Sequence, residues 1–339
     1  MAPGNRKAPQ RSSASESSYS LAEFMHDFPD DESCLQWLWQ TRYAVNEQGT
    51  EAQCEKCECI TEFKRYATKQ QRQSWTCTQC GHHVHPTAGT IFHKSSTSLV
   101  SWFYAMYLMT STRCGISAKQ LERELGVTYK TAWRMFTLIR NELMVQDDDE
   151  PKLSGEVEMD EMYVGGRVRA GERAAYAHLE RPYDRHKAAQ ELANKKRTPV
   201  FGMVQRGGQV RAYVAPRAMG RFVRKQIAVD VEPGTHLFTD EAPIYARLSR
   251  EGWYHEKIQH LEQVYVSGNV HTQTIDGFWS MVKRGTSGTH YHVSSKWLQG
   301  YLNEYAWRYN RRGPAAPDVM TRKQLFQDLL RRSALITSR

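Results

Sequence analysis

Two cysteine pairs, CEKC at 54–57 and CTQC at 77–80, constrain this chain more tightly than any hydrophobic pattern in it. Each pair can fold into one tight knuckle that aims both thiols at a single point. Two knuckles 19 residues apart then complete a tetrahedral set of four soft ligands. The spacing predicts a zinc ribbon in which Cys54, Cys57, Cys77 and Cys80 hold one Zn²⁺. Four protein ligands leave no open position, so the metal serves structure and not chemistry. Gly81 follows the second knuckle, where the turn needs a positive φ, but Glu58 stands in that place after the first. Cys59 is then a spare thiol. The total of seven cysteines, an odd count, argues against a disulfide scaffold.

Charge gives the next constraint. The net charge of +9 over 339 residues is unevenly spread. Residues 283–339 carry 11 Lys/Arg against 3 Asp/Glu, and residues 167–197 carry 9 against 4. Such basic surface suits a polyanion, either nucleic acid or an anionic membrane. A membrane span is not expected. The longest apolar run, LVSWFYAMYLM, has 11 residues, whereas a span needs about 20. The N-terminal MAPGNRKAPQRSSASESSYS has no apolar h-region and reads as a disordered tail over 1–20.

Along the chain, 21–95 reads as a helical lead-in followed by the ribbon, and 96–145 is strongly helical. QDDDEPKLSG, within a linker placed at 146–155, is acidic with Pro and Gly. From 156 the texture changes. EVEMDEMYV alternates like a strand, and PVFGMVQRGGQVRAYVAP reads as a hairpin around Gly207 and Gly208. Helices are predicted at 219–228, at APIYARLSR, and near 276–283, 295–310 and 321–332. THLFTD is a short strand ending in Asp240. Strands followed by a strand–helix alternation indicate a mixed α/β layer domain at 156–312, with a basic C-terminal helix at 313–339. Trp297, Leu298, Tyr301, Leu302, Tyr305 and Tyr309 make an apolar stripe at helical spacing, which reads as core.

The helical region has its own signature. GISAKQLERELGVTYKTAWRMFTLIRNEL divides at Gly126, with Ser117 and Thr128 placed to cap the two halves. Two helices joined by a short Gly-containing turn fit a helix-turn-helix. The second helix would offer Tyr129, Lys130, Thr131 and Arg134 near its N-terminus, where base edges are usually read. An ordinary helical hairpin is the plainer reading of the same pattern.

Three acids stand out by position. Asp160 lies on the first strand of the α/β domain, Asp240 ends a later strand just before a helix, and Asp276 opens TIDGFWSMVKRG. Singly, each reads as a cap or a surface charge. Together, carboxylates from separate elements can hold two Mg²⁺ ions about 3.5–4 Å apart, activating an attacking oxygen and stabilising the leaving oxygen of a phosphodiester. Seven residues turn a helix by about 700°, so Lys283 shares a face with Asp276, roughly 10 Å along the axis, and can reach a phosphate. Arg284 adjoins it. Phe278 and Trp279 can anchor that helix to the sheet.

At this point the chain resembles bacterial insertion-sequence transposases of the ISXO-two-like branch, which carry a DDE-type, RNase H-like catalytic domain. The resemblance covers nearly everything after the tail. It rests on the ribbon with HPTAGTIFHKSSTSL, the helix-turn-helix, GEVEMDEMYVGG, TPVFGMVQRGG, HLFTDE, VHTQTIDGFWSMVKRG and HYHVSSKWLQGYLNEYAWRYNRR. It implies Asp160, in preference to Glu161, as the first acid, Asp240 as the second and Asp276 as the third. That last position is usually Glu or Asn, followed seven residues later by Lys; here Asp276 and Lys283 occupy the two places. Glu262 and Asn269 do not fit the spacing. The implied chemistry is Mg²⁺-dependent cleavage at terminal inverted repeats and transfer of the freed 3′-OH into target DNA. A homo-oligomer on paired ends and a cytoplasmic, nucleoid-associated protein are implied as well. A catalytically inactive DNA-binding descendant and an RNase H-like nuclease or resolvase are the alternatives.

Overall fold

The computed structural model describes residues 19–66, 74–112, 114–146, 150–166, 170–175, 177–179, 181–217, 219–257, 272–312 and 320–335. Of the tail expected over 1–20, residues 1–18 lie outside them, as does 147–149 of the linker; Tyr19 is buried and Ser20 caps the first helix, so the last two residues are ordered against that expectation. The chain divides into two compact units.

The first unit runs to Thr112 and resumes at Met320, with the turn 125–127 counted in it. Helix α1 (Leu21–Asp27) starts where the Ser20 hydroxyl accepts from Glu23 N and the Glu23 carboxylate accepts from Ser20 N, a capping box. Helix α2 (Asp31–Arg42) is capped by Asp30, which accepts from Ser33 N at 2.8 Å. A four-stranded antiparallel sheet follows in sequence order: β1 (Glu51–Cys54), β2 (Cys59–Tyr66), β3 (Ser74–Cys77) and β4 (His83–Val84). Trp39 of α2 stacks on Trp75 of β3 with ring centroids 4.8 Å apart, tying helix to sheet.

Helix α3 (Leu99–Ser111) is the long apolar run of the sequence. Trp102, Phe103, Met106 and Met109 are all fully buried in it. Its hydrophobicity is that of a central core helix. Among the described residues no helix is long and apolar enough to cross a membrane. The C-terminal helix Arg322–Leu335 packs against α3 and α2 and buries Leu325, Phe326, Leu329 and Leu330. Phe326 lies within 5.7 Å of Phe24 by ring centroid. One face of this basic helix is therefore core.

The second unit begins with a helix pair, α4 (Ala118–Leu125) and α5 (Tyr129–Leu138), the latter prolonged by a π-turn over Ile139–Leu143. Then come β5 (Glu156–Gly165), α6 (Ala170–Ala174), α7 (Pro182–Lys196), β6 (Arg197–Gln205), β7 (Val210–Val214), α8 (Met219–Asp230), β8 (His236–Thr239), β9 (Tyr254–Lys257), α9 (Gln273–Arg284) and α10 (Leu298–Arg312). The sheet order is β7-β6-β5-β8-β9. The first three strands in sequence pair antiparallel, while β8 lies parallel to β5 and β9 parallel to β8. The hairpin around Gly207 and Gly208 is present, with Gly207 at φ +66°.

Strand alternation separates two faces of this sheet. Val157, Met159, Phe201 and Met203 point toward α8 and join Val223, Ile227 and Leu237 in one core. Glu158, Asp160, Gly202 and Val204 belong to the opposite face, where α9 and α10 lie. On β6 both faces are buried from Pro199 to Val204, so the sequence is apolar there, whereas on β5 Glu158 is buried and Asp160 partly exposed.

Two expectations differ from the structure. APIYARLSR forms two 3₁₀ turns, Pro243–Tyr245 and Ser249–Glu251, in place of an α-helix. Its buried residues Tyr245 and Leu248 are three apart, the repeat at which 3₁₀ side chains align, and Gly252 at φ +91° ends the run. Strand β9, from the polar YHEK, was not signalled, because an exposed edge strand needs no apolar alternation.

Candidate functional site

The three acids singled out by position come together at one end of the sheet. Asp160 sits on β5 across from Gly202 of β6. Asp240 follows directly after Thr239, the last residue of β8. Glu158 pairs with Phe238 on the parallel neighbour, so Asp160 and Asp240 continue in phase from adjacent strands toward the same end. Asp276 lies in the first turn of α9.

What brings α9 down onto this face is apolar burial. Ile275, Phe278, Trp279 and Val282 are buried in full, each contributing about 1.5–3 kcal/mol by its removal from water. Gly202 leaves room for it. A Cβ there would stand 2.5 Å from Trp279 Cζ2 and 3.2 Å from Ile275 Cδ1. The expectation that Phe278 and Trp279 anchor the helix holds. The glycine beneath them carried no signal that sequence reading used.

Electrostatics records the convergence. Burial, then the neighbouring carboxylates of Glu161, Asp276 and Asp240, push the Asp160 carboxyl up to about 7. The backbone N–H of Glu161 acts in the opposite direction. A carboxylate that resists ionisation among other carboxylates is a place where a cation is electrostatically welcome.

Glu161, set aside above in favour of Asp160, takes part after all, and Tyr245 and Glu158 were not foreseen. Glu161 accepts a 2.8 Å hydrogen bond from the Tyr245 hydroxyl, and burial with nearby Asp240 raises its carboxyl pKa. Tyr245 is itself buried and titrates well above the ordinary phenol range, through burial and the surrounding acids. Glu158, wholly buried, accepts from Thr274 N at 2.8 Å, Ile275 N at 3.1 Å and Arg206 Nε at 2.7 Å. Alternation in EVEMD places Glu158 and Asp160 on one face, a signal that was available and unused.

Lys283 and Arg284 close α9 and are exposed. Gly285 comes next, in helical conformation at φ −69°, and a Cβ on it would collide with the Tyr305 ring. Close packing against α10 is what this glycine serves. Glu262 and Asn269 lie outside the described residues. Near the far end of β5, an open cleft of about 960 Å³ is lined by Gly166, Arg173, Lys196 and His292, among others. Helix α7 of the basic insertion buries none of its described side chains fully.

In the helix pair, Gly126 turns the chain at φ +63°, and Thr128 caps α5 by accepting from Thr131 N. Tyr129, Lys130 and Arg134 are exposed, Thr131 partly so. Ala132, Met135, Phe136 and Ile139 form the buried face. That face meets α10. The Arg140 guanidinium is sandwiched between the rings of Phe136 and Tyr301, at 3.5 and 3.8 Å from their centroids. Its Nε donates to Glu304 Oε2 at 2.6 Å, and Arg308 Nη2 donates to Oε1 at 2.7 Å. Burial alone would raise the Glu304 carboxyl, but Arg140 and Arg308 hold it down at about 2. Beside them, burial and the Arg140 charge hold His290 down at about 4. Arg308 is therefore interior and paired, which subtracts it from the basic surface counted in the sequence.

The cysteines gather as their spacing predicts. The sulfurs of Cys54, Cys57, Cys77 and Cys80 all lie within 4.8 Å of one another, a set that can hold a structural Zn²⁺. Burial pushes the Cys77 thiol up, but the N–H groups of Cys80 and Gln79 outweigh it and hold it at about 6, in the direction of thiolate. Both knuckles turn through positive φ, +56° at Glu58 and +72° at Gly81. Cys59 stays outside the cluster and donates to Gln79.

The second unit thus carries a mixed sheet with an acid cluster at one end, and the first unit carries a four-thiol centre. Residues 152–310 are similar to the ISXO2-like transposase domain. An uncharacterised protein in transposable element ISH50 of Halobacterium salinarum is 29% identical over 253 residues, covering 72% of this chain and 81% of that one.

Proposed function

We propose that this chain is a DDE transposase in which residues 156–312 form an RNase H-like catalytic domain. The observation that carries the reading is the placement of the three acids: Asp160 and Asp240 stand in phase on adjacent strands, and Asp276 opens the helix packed on the same face, although they lie 80 and 36 residues apart in sequence. The sheet order, with three antiparallel strands followed by two parallel ones, supports it.

Asp160, Asp240 and Asp276 are hard oxygen donors from three elements, and their crowded negative charge fits Mg²⁺. Two such ions would supply Lewis-acid stabilisation of the attacking and leaving oxygens. The chain's own side chains do the rest. Lys283 and Arg284 hold phosphate near the acids. Tyr245 fixes Glu161 and keeps its carboxylate from swinging freely. Water attacks the phosphodiester at a terminal inverted repeat, and the 3′ oxygen leaves as a hydroxyl. That 3′-OH then attacks a target phosphodiester and displaces the target's 3′ oxygen. Helices α4 and α5 act as a helix-turn-helix, with Tyr129, Lys130, Thr131 and Arg134 toward DNA, and the ribbon contributes to recognition of the ends. Paired ends require at least two copies of the chain, assembled on DNA in the nucleoid.

The test uses purified protein, Mg²⁺ and labelled DNA carrying the element's ends. Joined product from wild type that disappears in Asp276→Ala supports the reading. Cleavage without joining would indicate a nuclease. Tight binding without cleavage would indicate a DNA-binding relic.

A further inference from the structure

We infer that Glu158 is a positioning residue that sets Asp276 against Asp160. The inference rests on the reading of these acids as metal ligands, and adds a residue that reading does not contain. Helix α9 lacks a cap of its own: Thr272, at its N-cap position, makes no side-chain cap hydrogen bond. The orphan N–H groups of its first turn are taken instead by a carboxylate more than a hundred residues earlier in the chain. Glu158 Oε2 accepts from Thr274 N and Ile275 N, the second and third residues of the helix, as a capping Asp would do locally. Oε1 accepts from the Thr274 hydroxyl at 3.0 Å and from Arg206 Nε at 2.7 Å.

The placement gives this cap its meaning. Glu158 stands two residues before Asp160, on the same face of β5. Its bonds end on Thr274 and Ile275, immediately before Asp276. One buried carboxylate therefore ties the strand that bears the first acid to the helix turn that bears the third. It also places negative charge at a helix N-terminus, where the macrodipole favours it. Arg206, lying over the Phe238 ring at 4.2 Å, orients Glu158 from the other side. An aspartate at the third position has a short reach, so small movements of α9 translate directly into the distance between Asp276 and Asp160.

The experiment measures Mn²⁺ binding by the paramagnetic signal of free Mn²⁺, on full-length protein bound to end-bearing DNA. End cleavage and thermal stability are measured alongside. Glu158→Gln keeps the shape but replaces one acceptor oxygen with a donor. The half-saturating Mn²⁺ concentration is expected to rise about tenfold or more, as loss of groups that orient metal ligands usually causes. Cleavage is expected to recover at high Mn²⁺. Thr274→Val, which removes only the hydroxyl bond, is expected to shift the same midpoint by a smaller factor. Wild-type Mn²⁺ affinity and cleavage in Glu158→Gln overturn the inference. If that variant does not fold, unchanged Mn²⁺ affinity in Thr274→Val overturns it equally. Asp276→Ala separates the two levels: if it binds Mn²⁺ and cuts as wild type does, the reading of the acids fails, and this inference with it.

Discussion

The indole of Trp279 fills the space where a side chain at Gly202 would begin, so the helix bearing Asp276 touches the strand paired with Asp160. Adding one methyl there forces the ring or the helix to move. Gly202→Ala is expected to cost about 1–3 kcal/mol, the usual range for overpacking. It is also expected to reduce DNA-end cleavage more than end binding, since the displacement falls on α9. Thermal melts and single-turnover cleavage check both parts. Unchanged cleavage in a destabilised variant would mean that α9 tolerates the shift.

Much of this arrangement was legible in the sequence, for identifiable reasons. The cysteine knuckles obey a local spacing rule, and so does the φ > 0 demand at Gly81 and Glu58. The alternation of β5 and the helical stripe of α10 both report burial directly. What stayed hidden depends on partners distant in the chain. Glu158 reads as one more strand acid until Thr274 and Ile275 are beside it. Arg308 counts as surface charge until Glu304 and Arg140 enclose it. The two 3₁₀ turns at 243–251 share the composition of a short helix, and only the three-residue spacing of Tyr245 and Leu248 distinguishes them.

The ribbon offers a test of backbone strain. Glu58 adopts φ +56° in the position that Gly81 fills in the other knuckle. A left-handed conformation costs a non-glycine residue about 1–2 kcal/mol. Glu58→Gly is expected to stabilise the zinc-loaded protein by about 0.5–1 kcal/mol, part of the relief being offset by the greater freedom of glycine in the unfolded chain. Gly81→Ala is expected to destabilise it by about 1 kcal/mol. Denaturant titration with Zn²⁺ present measures both, and a strong chelator should erase the difference by melting the ribbon.

Acid should loosen the contact between α5 and α10 in two stages. His290 is held at about 4, below its ordinary value, so the unfolded chain binds its proton first. Stability from this group is complete above about pH 6.5 and falls as pH drops toward 4. Glu304 is held at about 2. Its contribution is present above about pH 4.5 and is lost as pH falls toward 2. Asp160, raised to about 7, and His255, lowered to about 4, titrate across the same range, so the His290 share is read as the difference in urea midpoint between wild type and His290→Phe. That difference should shift in favour of the variant as pH falls from about 6.5 toward 4.

Two basic residues of the helix pair should respond in opposite ways. Arg140→Met strands Glu304 with one partner fewer and is expected to cost about 3 kcal/mol, typical of breaking a buried pair from one side. Lys130→Ala touches only exposed surface and should leave stability within about 0.5 kcal/mol. If α5 meets DNA phosphate through Lys130, that variant lowers the slope of log affinity against log salt by about 1. Melting curves and binding isotherms at four salt concentrations separate the two roles.

Lys283 should differ from Lys130 in what it affects. It closes the same helix that Asp276 opens, and it is exposed. A cation held beside the scissile phosphate gains most as negative charge builds on the attacked phosphorus centre, so its removal should fall on the rate more than on affinity. Lys283→Ala is expected to slow single-turnover end cleavage by about 10²-fold while end affinity changes by less than about tenfold. Lys283→Arg should recover part of the rate, because the charge returns with a different donor geometry. An equal loss of rate and affinity in Lys283→Ala would instead place this lysine with Lys130, as a residue that holds DNA without acting on the reacting phosphate.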